Sequence, residues 1–419
     1  MSELFQLRCE QCGRTFGNGP LVLCEDCFAP VEVAFDLAAV RAAVSRDSIE
    51  RRPYDIWRYA EFLPVAEGFR SDLPVGFTPL LRAPRLGERL GSHDLWLKDD
   101  AVCFPTLSFK DRVVAVALAQ ARAFGFEVVG CASTGNLANA VAAQAARLGL
   151  EALVFIPADL EAAKVLGTAV YGARVIRVDG NYDQVNRLCA EIAELHPWGF
   201  VNVNLRPYYA EGSKTVGFEI AEQLGWRLPD NVVVPMAGGA QISKIAKAFS
   251  ELVATGLVDP RPVRVYGAQA LGCSPISSAV SAGQTEITPQ LPDTICRSLA
   301  IGNPADGYRA LEVIRSSGGW AESATDPEIV AGMRLLAESE GVFGETAGGV
   351  TVAVAGQLLQ DGRIQAGETT VLCITGNGLK TTDALVGSLP EIPVLAAKIE
   401  AFEEQLGAVR VSRSGSTSG

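Results

Sequence analysis

Two sets of residues in the chain have types and spacings that could do chemistry. The first is Cys9-x2-Cys12 followed, after eleven residues, by Cys24-x2-Cys27. Two such knuckles can place four thiolates tetrahedrally around Zn²⁺, with Gly13, Gly17 and Gly19 supplying tight turns. Thiolates at all four corners close the site, which makes it structural. The competing readings are reduced cysteines without metal and a redox CxxC pair, the latter disfavoured because no strand-helix pattern surrounds either pair. The second set centres on Lys110, in PTLSFKDR (105–112) at the mouth of the apolar segment VVAVALA. A lysine there either snorkels to solvent or is held in a desolvated pocket, where an amine sheds its proton more readily and becomes a nucleophile and base. The only histidines, His93 in GSHD and His196 in LHPWG, lie in turn-like contexts. The sequence therefore argues against a Ser/His/Asp triad or a histidine-rich catalytic metal site, and the reacting group is expected among Lys, Cys, Asp and Glu.

Three small polar loops follow apolar strand-like runs. After VVVPM (232–236) comes Ala237-Gly238-Gly239-Ala240-Gln241, then a helical stretch. Two glycines before a helix start can cradle an anion, although the same pattern also occurs as an ordinary tight turn. It has neither the P-loop lysine spacing nor GxGxxG, so an ATPase or a nicotinamide enzyme has no fingerprint here. After EVVGC (127–131) comes Ser133-Thr134-Gly135-Asn136 at a helix start, suited to carboxylate or phosphate binding or simply to capping. After TTVLCI (369–374), Thr375 offers a neutral hydroxyl and Gly376 and Gly378 turn the chain. A lysine beside a phosphate cradle, a helix-start asparagine and a strand-end threonine is the set that pyridoxal phosphate requires: a Schiff-base amine, an anion site and a partner for the ring nitrogen.

The elements that must position these residues can be read from the apolar pattern. Strand-like runs at 127–131, 152–156, 174–178, 200–204 (FVNVN), 232–236, 263–270 and 369–374 alternate with helical stretches, including one over 182–195. Such alternation predicts parallel sheets with right-handed crossovers, and ligands at the carboxyl ends of the strands. A length of 419 residues accommodates two to three domains. The excess of 48 Asp and Glu over 36 Lys and Arg, net −12, argues against nucleic-acid and anionic-membrane partners. No apolar run reaches the roughly 18 residues of a membrane span, and MSELFQLRCE is not a secretory signal. Six further cysteines stand singly in apolar surroundings, the usage of a reducing compartment, and the expected location is the cytoplasm.

These residues resemble the fold-type II pyridoxal-phosphate enzymes, and within them the threonine synthases. SFKDR around Lys110, STGN at 133–136, AEGSKT at 210–215, AIGNP at 300–304, ETAGG at 345–349 and TGNGLK at 375–380 occur in that family's order. The similarity spans roughly 75–385, and a four-cysteine ribbon occurs in some relatives. It implies an α/β fold like tryptophan synthase β, with two parallel-sheet domains and a small N-terminal zinc ribbon. The ribbon would occupy 1–35, the large cofactor domain 36–120 and 210–395, the small domain 121–209, and a C-terminal helix and tail 396–419. Lys110 would form the Schiff base and move protons, Asn136 would face the cofactor's 3-oxygen, Ala237 to Gln241 would hold its phosphate and Thr375 would meet its ring nitrogen. Ser133, Thr134 and Gly135 would face the substrate's charged groups.

The implied reaction turns O-phospho-L-homoserine and water into L-threonine and phosphate, in a homo-oligomer acting on a small phosphorylated amino acid. The chain departs from the family in two places. Its phosphate loop reads GGAQ where relatives often carry asparagines. Tyr209 stands where they commonly carry an arginine, two residues before the Glu-Gly of the GxKT segment, so Arg206, with Lys214, becomes the candidate for the substrate phosphate. The rival readings are a cysteate synthase-like enzyme acting on phosphoserine and a non-enzymatic zinc-ribbon adaptor; the combination of Lys110, Thr375 and the glycine loop argues against the adaptor.

Overall fold

The computed structural model describes residues 4–133, 135–158, 162–180, 182–390 and 392–405. Its strands are β1 (Phe5–Cys9), β2 (Thr15–Phe16), β3 (Val31–Phe35), β4 (Leu80–Arg82), β5 (Leu95–Asp99), β6 (Val128–Ala132), β7 (Glu151–Pro157), β8 (Arg174–Val178), β9 (Gly199–Phe200), β10 (Asn231–Pro235), β11 (Arg264–Ala270), β12 (Ala321–Ala324) and β13 (Thr370–Ile374). The helices that matter for the site are α1 (Lys110–Ala123), α2 (Asn136–Leu148), α3 (Arg206–Glu211), α4 (Lys214–Gln223), α5 (Ala240–Ala254), α6 (Gly307–Ser316) and α7 (Thr346–Gln360).

β1 to β3 form a small antiparallel sheet in the order β2-β1-β3. A six-stranded sheet runs β12-β11-β10-β13-β5-β4, parallel throughout except for β4 at its edge. A four-stranded parallel sheet runs β8-β7-β6-β9. Strands such as β10 and β13 are buried in every position, and largely apolar, because helices cover both faces of a parallel sheet. One apolar core joins the two parallel sheets, containing Val129 and Val154 from the smaller and Val232 and Val371 from the larger. All of this lies in one unit, residues 1–381; a second unit, 382–419, is helical over 399–405, and the tail expected beyond that lies outside the described residues. No helix among the described residues is long and apolar enough to cross a membrane.

The strand expected over FVNVN is a correction. Only Gly199 and Phe200 pair with β6, and 201–204 turn away. The Asn204 side chain accepts from the Phe200 amide at 2.7 Å and donates to the Trp198 carbonyl at 2.9 Å, so a side-chain amide takes the place of ladder bonds.

Helix α1 is buried from Asp111 to Ala121, which the sequence VVAVALAQA allows because it carries no charge to strand in the core. Its first turn holds the exception. Arg112 is 0% exposed and forms a fork to Asp100 at 2.8 and 2.9 Å, while also bonding Glu219 of α4, Thr215 and Thr78. Lys98 of β5 lies 2.6 Å from the same Glu219 and donates to the Thr78 carbonyl at 2.6 Å. Burial by itself would raise the Glu219 carboxyl, but Arg112 and Lys98 outweigh it and hold it at about 2.

Removing one charge from such a cluster leaves the others buried and under-compensated. Glu219→Gln is therefore expected to cost about 3–5 kcal/mol, read as a lower urea midpoint. Because the folded-state value lies below the unfolded one, the stabilisation from Glu219 is complete above ~4.3 and is lost as the pH falls from there toward 2. The variant should show a flatter acid-unfolding profile across that window; a profile parallel to the wild type would disprove the assignment.

Candidate active site

The loop 105–109 leads into α1 by lying against the turn after β13. Phe109 N donates to the Thr375 carbonyl at 2.9 Å, Asn377 N donates to the Leu107 carbonyl at 3.1 Å, and Ser108 pairs with Gly376. Asp111 secures the same loop, its carboxylate accepting from Thr106 N and Thr106 Oγ1, both at 2.9 Å. Burial pushes that carboxyl up to about 6. These bonds bring Lys110 and Thr375 to the ends of adjacent elements. Lys110 Nζ donates to Tyr209 Oη of α3 at 3.0 Å. Thr375 is nearly buried, and the Phe109 bond uses its carbonyl rather than its hydroxyl.

Asn136 opens α2 and reaches across to two groups that the motif reading passed over. Its Nδ2 lies 3.0 and 3.2 Å from the Glu345 carboxylate oxygens, and its Oδ1 accepts from Lys380 Nζ at 2.9 Å. A carboxylate on one side and an ammonium on the other fix which way the amide faces. Burial raises the Glu345 carboxyl and lowers the Lys380 amine, and the pair partly offsets both effects. Glu345 is held close by Gly376, where a Cβ would stand 2.6 Å from the carboxyl group. Glu345 and Lys380 sit inside ETAGG and TGNGLK; a lone glutamate before the otherwise apolar α7 was the available signal.

Elsewhere in the STGN loop, Gly135 N donates to Ser133 Oγ at 3.4 Å, and Gly135 faces open space. Thr134 lies outside the described residues.

The glycine loop takes the shape of an anion site. Gly239 is the N-cap of α5 with φ +91°, and a Cβ there would stand 2.6 Å from the Asp306 carbonyl, so glycine is required on both counts. No side chain caps this helix, which leaves its first amides unpaired by any cap. Gly238 faces open space, and its carbonyl accepts from Asp306 N at 2.8 Å. Gln241 Nε2 is buried without a partner among the described residues. An orphaned donor beside an uncapped helix start and an open glycine fits a bound phosphate.

The two cations considered for substrate phosphate part company. Arg206, on α3 one turn before Tyr209, is 36% exposed and pairs with Asp306 at 2.7 Å. It thus borders the same residue that braces the glycine loop. Lys214 is a correction: it is 0% exposed, lies 2.7 Å from Glu211 and 2.8 Å from Glu251, and packs over the Phe35 ring. The direction of α4 turns it toward α5 and β3, where two carboxylates compensate its burial and already pair its charge.

The Sγ atoms of Cys9, Cys12, Cys24 and Cys27 lie within 4.8 Å of one another, with Cys9 and Cys27 at 3.4 Å and Cys12 and Cys24 at 3.7 Å. The ribbon also touches the elements of the site. Tyr208 Oη is 2.8 Å from Asn18 Oδ1, which accepts from Gln120 of α1 at 2.6 Å, and Glu10 pairs with Arg309 of α6.

Residues 72–376 match the family described as pyridoxal-phosphate dependent enzyme. The chain is 38% identical to the threonine synthase of Methanocaldococcus jannaschii over 387 residues, 92% of this chain and 95% of that protein. It is 35% identical to the threonine synthase of Methanosarcina acetivorans over 406 residues, 96% and 99% of the two chains. Among solved structures it resembles a fungal L-serine ammonia-lyase from Rhizomucor miehei, with a TM-score of 0.64 and 20% identity, covering 76% of this chain and 100% of that one. It is also similar to diaminopropionate ammonia lyase from Escherichia coli, with a TM-score of 0.62 and 20% identity, covering 74% and 86%; at these identities the likeness concerns the fold. With the family match over most of its length and relatives aligned nearly end to end, the chain belongs to the pyridoxal-phosphate dependent enzymes and, among them, to the threonine synthase family.

Proposed function

We propose that this chain converts O-phospho-L-homoserine and water into L-threonine and phosphate, with pyridoxal phosphate held by Lys110. The observation that carries the reading is the meeting of one lysine amine, a strand-end threonine, an oriented asparagine amide and an uncapped glycine loop with an orphaned donor. Ala237 to Gln241 would bind the cofactor phosphate, Asn136 would face its 3-oxygen, and Thr375 would meet its ring nitrogen. Bound there, the cofactor supplies a sink for electrons released at the substrate's Cα. A hydroxyl at the ring nitrogen does not force that nitrogen to be protonated, which suits elimination and replacement over transamination. Lys110 would take the proton from Cα and then one from Cβ, phosphate would leave Cγ, Cγ would receive a proton, water would add at Cβ, and Cα would be reprotonated. Ser133, Thr134 and Gly135 would face the substrate carboxylate, and Arg206 the phosphate.

A structural zinc completes the reading. A tetrahedron with Zn–S bonds near 2.3 Å has edges of about 3.8 Å, close to the two shorter thiol separations. Four thiolates leave no open position, so the metal would hold the ribbon and the contacts of Tyr208 and Glu10 without entering the reaction.

Purified protein is expected to be yellow, and borohydride followed by peptide mapping should find the cofactor on Lys110; attachment at another lysine would sink the assignment. Incubation with phosphohomoserine should release phosphate and yield threonine by mass, whereas release only from phosphoserine in the presence of sulfite would favour the cysteate-forming alternative. Arg206→Ala should lower kcat/KM for phosphohomoserine by the ~1.5–3 kcal/mol of a charged hydrogen bond, with cofactor occupancy unchanged because Asp306 keeps Arg309 and its bond to Gly238. Metal analysis of desalted protein should give one zinc per chain, and replacing Cys9 or Cys24, both buried, by serine should remove it and lower the unfolding temperature. Retention of zinc in either variant would contradict the four-thiolate site.

A further inference from the structure

A single amine that lifts two protons in succession must shed the first before it can take the second. Asp111 is committed to Thr106 and Glu345 to Asn136. His196 stacks on Trp198, and the His93 amide is tied to the Ala366 carbonyl in the turn between α-helix Pro84–Leu90 and β5. Among the described residues, the group that hydrogen-bonds Lys110 Nζ is the Tyr209 hydroxyl, at 3.0 Å. Tyr209 shares α3 with Arg206 at a spacing of three residues, the spacing that places two side chains on one helix face. The phenol therefore stands on the face that also carries the proposed phosphate ligand.

We infer that Tyr209 is a further catalytic residue, passing to the substrate's phosphate ester the proton that Lys110 takes from Cα; this rests on the reaction proposed above. In the relay an Nζ–H bond breaks as an Oη–H bond forms, and the original Oη–H bond breaks as a phosphate O–H bond forms. Tyr209 ends unchanged, Lys110 is again a neutral amine able to take the Cβ proton, and the protonated phosphate leaves Cγ with the C–O electron pair. The proton from Cβ goes to Cγ, and water supplies the hydroxyl at Cβ and the proton at Cα, so the atoms balance. A phenol performs this transfer without ionising, because it accepts on oxygen while it donates. An arginine at the same position has no lone pair with which to accept.

The test compares wild-type holoenzyme with Tyr209→Phe in D₂O, following deuterium at the Cα of phosphohomoserine by NMR alongside phosphate release. Cα exchange in the variant should stay within about threefold of wild type while phosphate release falls about 100-fold or more. The pH at which the cofactor's visible band changes should also move, since the variant removes the hydroxyl that touches Nζ. Equal losses of exchange and release, phosphate release at the wild-type rate, or an unmoved spectral titration would overturn the relay. A wild-type protein that exchanges Cα but releases no phosphate would overturn the reaction as well.

Discussion

The direction of Lys110, around which the site is arranged, depends on Arg112 being nailed to Asp100 and Glu219. A guanidinium with no exposure is tolerated only where its donors are paired, and here the fork to one carboxylate, the contact with the second and two hydroxyls satisfy it. Because Arg112 is the third residue of α1 and Lys110 the first, fixing the arginine fixes the direction in which the lysine leaves the helix. The same cluster ties β5 and the segment at Thr78 to α4, and α4 follows directly on the short helix that carries Arg206 and Tyr209. Lys110 and Tyr209, the proposed base and acid, are thereby registered to each other through a buried ionic centre.

A second level of electrostatics sets the orientation of neutral groups. Asn136 could face either way at a helix start, but Lys380 and Glu345 leave its amide only one low-energy orientation. Both charged groups are buried enough for their ionised forms to be disfavoured, and each is partly restored by the other. The proposed cofactor end follows a different logic: backbone conformation at Gly239 and an uncapped helix offer an anion site without any cation from the loop itself. The ribbon adds a third level, holding Tyr208, the neighbour of Tyr209, by way of Asn18 and Gly19.

Much of this was legible in the chain. The strand runs at 152–156, 174–178, 232–236 and 369–374 and the helix over 182–195 lie where the apolar pattern set them; 152–156, 232–236 and 369–374 are buried strands bounded by turn residues. The four cysteines advertised their cluster by spacing alone, since two short knuckles leave little freedom in where the thiols point. FVNVN misled because alternation and β-branched residues favour a strand, whereas the Asn204 side chain supplies the local hydrogen bonds that make a turn.

The sequence by itself determined the class of chemistry, the alternation of strands and helices and the small polar loops at the strand ends, all of which are local properties of residue type and spacing. Only the tertiary structure decided which charges meet. Lys214 and Arg206 looked alike as cations near one loop, yet one is sealed between Glu211 and Glu251 and the other borders the glycine loop. Tyr209 read only as a missing arginine until folding set its hydroxyl against Lys110, 99 residues away in the chain. The physical reason is that burial and ion pairing depend on partners distant in sequence, and the free energy of a charge is set by those partners rather than by its neighbours along the backbone.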